Sequence, residues 1–278
     1  ANIVNIILDP ILIFGLGPFP ELGVTGAAIA TSIGRGIGVL LQLYILFYGS
    51  SRIRLIWKNL RLNVNEIFSI IKLALGAISQ NLIATSSWIG LMRIVAVFGS
   101  EVLAGYTIAI RIVIFALLPS WGLSNAAATL VGQNLGAQQP KRAERSVWAA
   151  GKTNMILLGC IGLVFIIYPQ IFISMFVHDP KVLHYGSVAL RIISFGFIFY
   201  GLGMVLLNSI NGAGDTITPT KLNFISFWII EIPLAYILSF IVGWKETGVF
   251  YAIIIAESTL TLLALVWFMK GKWKVVKI

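Results

Sequence analysis

The chain has 278 residues, of which 58% are hydrophobic and only 11% charged, with a formal net charge of +10 and a mean hydropathy of +0.95. Soluble domains are nearer half apolar and a quarter charged, so this chain lacks the polar groups to cover itself in water, and lipid must be its solvent. That excludes a water-soluble enzyme or binding module. Basic residues beside membrane spans are explained by anionic lipid, so no nucleic-acid partner is expected.

A helix needs about 20 apolar residues to cross a hydrocarbon core ~30 Å thick. In chain order, apolar runs fall at 1–16, 23–49, 67–97, 102–132, 148–168, 182–210, 221–243 and 248–269. They recur to the end of the chain, so a cleaved leader does not account for them. Their interiors lack the period-two alternation of a lipid-facing barrel. The prediction is an all-α membrane protein with about eight transmembrane helices. Several runs are longer than a crossing needs, which tilt or extension into water accommodates. The first run opens at Ala1 with no charged lead-in, and the chain is expected to be a fragment cut upstream.

Ionisable groups inside lipid are costly unless they face a cavity or a partner, so each one is a functional candidate. The first run carries the strongest set. Asn5 and Asp9 are four apart, hence on one helical face. Pro10 has no N–H, which frees the carbonyl of Ile6. An amide oxygen, a carboxylate and a bare carbonyl suit a hard cation such as Na⁺, and the carboxylate can equally carry a proton. The alternative is that Asp9 only caps local structure near the outer end of its run.

Arg35 lies deep in the second run. The polar gap 50–66 follows, where Ile53, Ile56, Trp57 and Leu60 share a face, so it reads either as a short interfacial helix or as an ordinary basic loop. The adjacent Gln80 and Asn81 in the third run either line a polar cavity or join helices. Arg111 in the fourth run, like Arg35, is expected to pair with Glu231, Glu257 or free carbonyls, or to touch substrate. The single cysteine, Cys160, is expected to be a small buried apolar residue. Glu231 and Glu257 are the deep acids of the last two runs.

Placing both ends on one side gives that side twelve loop and tail basic residues, including Arg52, Arg54, Lys58, Arg61, Lys141, Arg142 and Arg145. The other side has only Lys181 and Lys245. The crowded side is cytoplasmic by the positive-inside rule. A weak repeat joins the ends of the chain: Asn5…Asp9-Pro10 before Gly23-Val24, and Asn223…Glu231-Ile-Pro233 before Gly248-Val249.

Three further motifs complete the picture: Leu22-Gly-Val-Thr-Gly-Ala-Ala-Ile-Ala-Thr31, Gly132-Gln-Asn-Leu-Gly-Ala137, and Asn211-Gly-Ala-Gly-Asp-Thr216 with Pro219. With Asn5…Asp9-Pro10 they resemble, in order and spacing, the fifth to twelfth helices of the multidrug and toxic compound extrusion (MATE) family. The resemblance implies a truncated two-lobe, twelve-helix antiporter fold. Residues 1–49 would be the last two helices of the N-terminal lobe, 50–66 the cytoplasmic linker, and 67–278 the six-helix C-terminal lobe. It also implies that Asn5, Asp9 and Thr31 contribute to an ion site. The NorM branch of that family carries carboxylates in its seventh and tenth helices. Here 67–98 has no acid and the tenth-helix position is Tyr200, which points to the DinF-like branch.

Two glycine pairs are expected to be structural: Gly132 and Gly136 flatten a helix face, and Gly212 and Gly214 form a tight turn. No Walker sequence is present. The expected function is efflux of amphipathic, cationic organic compounds in exchange for Na⁺ or H⁺, by a monomer in the plasma membrane with both termini cytoplasmic. No organic cofactor and no metal beyond Na⁺ is expected. Substrate-pathway candidates are Arg35, Gln80, Asn81, Arg111, Glu231 and Glu257. The alternative is a lipid-linked oligosaccharide flippase of the same superfamily, for which Arg35, Arg111 and Arg191 would supply a cationic cavity. An enzyme is not expected: a membrane-embedded transferase needs a convergent polar cluster, and His178 and His184 sit at one outer loop without a set of acids around them.

Overall fold

The computed structural model describes residues 2–49, 55–56 and 63–275. Within them the chain is helical, and it divides into two compact units, Ala1–Ile67 and Phe68–Ile278. The expected interfacial helix of the 50–66 gap lies outside the described residues, apart from Leu55, Ile56 and the stretch from Asn63.

The first unit is a hairpin of α1 (Asn2–Phe14) and α2 (Gly23–Tyr48). Its turn is built on glycines with positive φ, Gly15 at +67° and Gly17 at +76°, a region closed to most L-residues. Across the hairpin the Leu22 N–H donates to the Leu12 carbonyl at 3.1 Å. The buried face of α2 is Gly26, Ala30 and Gly34, an i, i+4, i+8 stripe of small residues. A Cβ at Gly26 would fall on the Leu12 carbonyl, so only glycine allows the two backbones to meet this closely.

The second unit takes all but the first turn of α3 (Val64–Ala96), and then α4 (Ser100–Gly136), α5 (Pro140–Ile167), α6 (Pro169–Ser174), α7 (Pro180–Ser194) and α8 (Phe197–Gly212). A continuous span Ile217–Ile241 follows, then α11 (Lys245–Met269) and a 3₁₀ turn Lys272–Val275. That span consists of α9 (Ile217–Asn223), a π-helical stretch Phe224–Glu231, α10 (Ile232–Tyr236) and a second π stretch Ile237–Ile241. Proline opens α5, α6 and α7, where its missing N–H costs nothing. The Asp179 carboxylate caps α7 by accepting from the N–H groups of Lys181 and Val182.

Helix α4 packs against α5, α7 and α8. Its small and apolar face, including Tyr106, Ala109 and Val113, enters one buried cluster with Leu190, Phe197 and Phe250. Ala127 and Val131 enter a second with Val147, Phe268 and the fully buried Trp273. Between them a polar tie joins three helices: Asn154 Nδ2 donates to Ser120 Oγ at 2.7 Å and to the Gly201 carbonyl at 2.8 Å. The outward faces carry Phe115, Ile156, Leu163, Ile229 and Val266, each more than 50% exposed. Water would not tolerate such a surface; lipid does.

Among the described residues six helices are long and apolar enough to cross a membrane, or seven when α7 and α8, bent by 56°, count as one span. The predicted 182–210 run is that bent pair. The one remaining predicted run, 1–16, is α1, apolar but only 13 residues long.

Three expectations need correction. Cys160 is exposed, on the outer face of α5, because the buried positions there are Leu158 and Gly162. A Cβ added at Gly136 would meet nothing within 4 Å, so this glycine flattens no interface; one added at Gly132 would face the Gly212 carbonyl. Gly212 is itself a packing glycine, pressed on the backbone of Ala128, while Gly214, with φ +87°, makes the turn.

Candidate functional sites

In α1 the sequence sets Asn5 and Asp9 on one face, and the fold turns that face inward. Asn5 Oδ1 and Asp9 Oδ1 are both buried, and neither has a hydrogen-bond partner. A buried oxygen left without a donor costs roughly 1–3 kcal/mol, more if charged, so two on one face favour anything that brings a positive charge to them. Pro10 lies inside the helix and removes the N–H that would have bonded the Ile6 carbonyl. The donor set therefore fits a proton or a hard monovalent cation. Thr31 follows the buried Ala30 on α2 and is partly buried. Among the described residues no hydrogen bond links Thr31 to Asn5 or Asp9. Arg35 points outward and is exposed.

The second unit has a cleft of about 160 Å³ lined by Ala84, Trp88, Leu91, Tyr106, Ile110, Tyr200, Phe227, Glu231, Ile253 and Glu257. Glu231 and Glu257, from neighbouring spans, thus face one space. Glu231 is 5% exposed and accepts a 2.7 Å hydrogen bond from Ser87 Oγ. The Tyr200 phenol lies beside Glu257. Tyr106 is 1% exposed, and its hydroxyl has no partner. The π-helical stretch positions Glu231: the N–H of Ile232 reaches back five residues to the Phe227 carbonyl, a widened turn of the kind that recurs at functional sites.

The cleft excludes Arg111. Tyr106 and Ile110 occupy the face of α4 that lines it, whereas Arg111 opens with Leu103, Thr107 and Ile108 onto another depression. The expected pairing of Arg111 with Glu231 or Glu257 is therefore not made, because one residue along a helix is a turn of about 100°. Gln80 joins helices: its Nε2 donates to Asn211 Oδ1 at 3.1 Å and to the Thr216 carbonyl at 3.2 Å, and Asn211 Nδ2 donates back to Gln80 Oε1. That bond anchors the Asn211–Thr216 turn to α3. Asn81 only donates to the carbonyl of Ala77, one turn back.

Sequence reading does not single out Ser87, Trp88 and Tyr106. Ser87-Trp88, a polar-tipped pair in mid-span, is the one available signal; Tyr106 carries none beyond its aromatic type.

Comparison with known proteins bears on what this assembly is. A profile described as MatE matches residues 77–237, more than half of the chain. The chain belongs to the MatE family. It is 27% identical to the "Probable multidrug resistance protein NorM" of Thermotoga maritima over 99% of its own length and 59% of that protein's. It is 26% identical to the "Multidrug export protein MepA" of Staphylococcus aureus, over 94% of this chain and 56% of the other. A "FAD transporter" of Shewanella oneidensis is 27% identical over 88% of this chain and 54% of its own. The chain thus spans less than two thirds of the length of these relatives. Among solved structures it superposes on a MATE protein in the straight conformation with a TM-score of 0.89, at 21% identity, over 96% of this chain and 60% of that one. The outward-facing conformation of a multidrug resistance MATE transporter gives a TM-score of 0.88 at the same identity, over 96% and 59%. These likenesses establish the MATE-type helical fold, and the relatives handle small compounds across membranes.

Proposed function

We propose that the protein works as a secondary antiporter, exporting amphipathic organic cations in exchange for Na⁺ or H⁺. The observation that carries this reading is the pair of buried, partnerless oxygens on Asn5 and Asp9. A carboxylate in a nonpolar setting is tolerated when a proton or a cation neutralises it, and alternation between those two states is what coupled exchange requires. Pro10 weakens the helix at this point, so occupancy of the face can be coupled to a change in α1 and to a shift between transport states. Thr31, five residues after the Gly26 contact on α2, supplies a neutral oxygen at most. Acids and aromatic rings together in the second cleft suit an organic ammonium, attracted by carboxylate charge and by ring faces. Both termini are placed in the cytoplasm, from the distribution of basic loop residues.

The test is export of a fluorescent organic cation from a drug-sensitive host expressing the complete reading frame. Export should stop when ionophores collapse the Na⁺ and proton gradients while ATP is maintained. Export that persists after both gradients are gone would exclude antiport.

A further inference from the structure

At the end of the second unit where α5 stops and α7 begins, a cavity of about 330 Å³ is lined by Gln170, Pro180, Leu183, His184, Ser187, Val188 and Arg191. No acid is among these residues. Asp179, next to the lining residue Pro180, is engaged in capping α7, and Glu101 lies 3.7 Å from Lys181. Arg191 Nε donates to the Ile166 carbonyl at 3.0 Å, which pins the guanidinium one residue from the end of α5. A guanidinium has five N–H donors, and the remaining ones make no ion pair among the described residues. The hydroxyl of Ser187, a residue only 6% exposed, is buried at the wall with no hydrogen-bond partner. A fixed cation, an orphan hydroxyl, an imidazole and an amide thus converge with nothing negative to meet them.

We infer that this cavity binds the phosphate group of a lipid headgroup. The planar guanidinium and the hydroxyl match phosphate oxygens. The volume is ordinary for a small-ligand pocket, at the lower end of roughly 300–1,000 Å³. Depth points to lipid rather than to a soluble anion. The end of α5 and the start of α7, the outer limits of their spans, mark the membrane border, where headgroups sit, whichever leaflet that is. Leu183 and Val188 give the pocket an apolar side. Ile171, Met175 and Phe176 on the adjoining segment are each more than 50% exposed, a surface suited to acyl chains. The site is independent of the ion-exchange reading, since neither Asp9 nor the acidic cleft contributes to it.

The test uses the purified full chain in detergent. Native mass spectrometry would compare short-chain phosphatidylglycerol, the matching diacylglycerol that lacks phosphate, and inorganic phosphate. Phosphatidylglycerol should bind, the diacylglycerol should bind at least about tenfold more weakly, and inorganic phosphate should not displace the lipid. Arg191→Gln should weaken lipid binding roughly tenfold, as expected for loss of a charge-assisted hydrogen bond, with Arg191→Lys intermediate. Val188→Trp, which fills the cavity and leaves every polar group in place, should weaken it as well and guards against a misfolded arginine variant. Equal binding of both lipids, or lipid binding unchanged in Arg191→Gln and Val188→Trp, would overturn the site. Displacement by inorganic phosphate at matching affinity would overturn the lipid as its occupant.

Discussion

In the α1–α2 hairpin an Asn, an acid and a proline are packed into one short stretch, Asn5, Asp9 and Pro10; in the span Ile217–Ile241 the same types are spread out as Asn223, Glu231 and Pro233. Each pair of helices closes on a glycine: Gly26 on the Leu12 carbonyl, and Gly248 on the backbone of Leu238 and Ser239. The acids end differently. Asp9 Oδ1 has no partner, whereas Glu231 is held by Ser87 at 2.7 Å and shares a cleft with Glu257. Asn223 Oδ1 is also buried and partnerless, but eight residues is about 12 Å along a helix, too far to share a small ion with Glu231. Spacing therefore decides the use of the acid. Four residues bring amide and carboxylate oxygens onto one face that must import its positive charge; eight residues and a π-helical stretch give an acid satisfied by the fold and turned to a cleft.

The glycine contacts, common to both regions, should give the largest effects. A side chain at Gly26 or Gly248 would meet backbone, so Gly26→Leu and Gly248→Leu should each cost roughly 1–3 kcal/mol or more through overpacking. Thermal stability in detergent reads this directly, with Gly36→Leu as the control, since a side chain there meets open space. If Gly26→Leu melts with the parent, the close α1–α2 approach is wrong.

The acids should separate next. Glu231→Gln removes one of the two acids of the cleft and should lower export of a cationic substrate about tenfold, equal to ~1.4 kcal/mol, with export of an uncharged substrate little changed. Ser87→Ala loses one hydrogen bond, worth about 1 kcal/mol or somewhat more to a charged group, so a several-fold loss is expected in the same assay. Uniform loss for charged and uncharged substrates would make Glu231 a packing residue.

Much of this is legible in the sequence for physical reasons. Long apolar runs must become helices in lipid, and the i, i+4 spacing of Asn5 and Asp9 needs no tertiary information. The acidic cleft is not legible. Glu231, Glu257, Tyr106 and Tyr200 come from four separate helices, and their convergence depends on crossing geometry and on a π-helical turn that has no sequence periodicity of its own. In the sequence Tyr200 stands out only as the place where a carboxylate is missing; in the fold it lines the same cleft as one supplied by α11. Arg111 shows the converse error, because depth in a run says nothing about which face a residue takes.

The smallest perturbations test topology, which sets both regions in the membrane. In a Cys160→Ser background, Lys181→Cys should react with an impermeant maleimide added outside intact cells, and Arg142→Cys should not. Neither change should alter export noticeably. Labelling at Arg142→Cys with Lys181→Cys silent would invert the orientation.

The difference between the two acids is tested most directly by Asp9→Asn, assayed as gradient-driven uptake of an organic cation into liposomes carrying the protein from its complete reading frame. The substitution keeps the shape and removes the charge. Uptake should fall to background at every pH and Na⁺ concentration, while the variant inserts and melts like the parent. Parental uptake by the Asn variant across that series would contradict the account, and coupling would then have to be sought at Glu231 or Glu257.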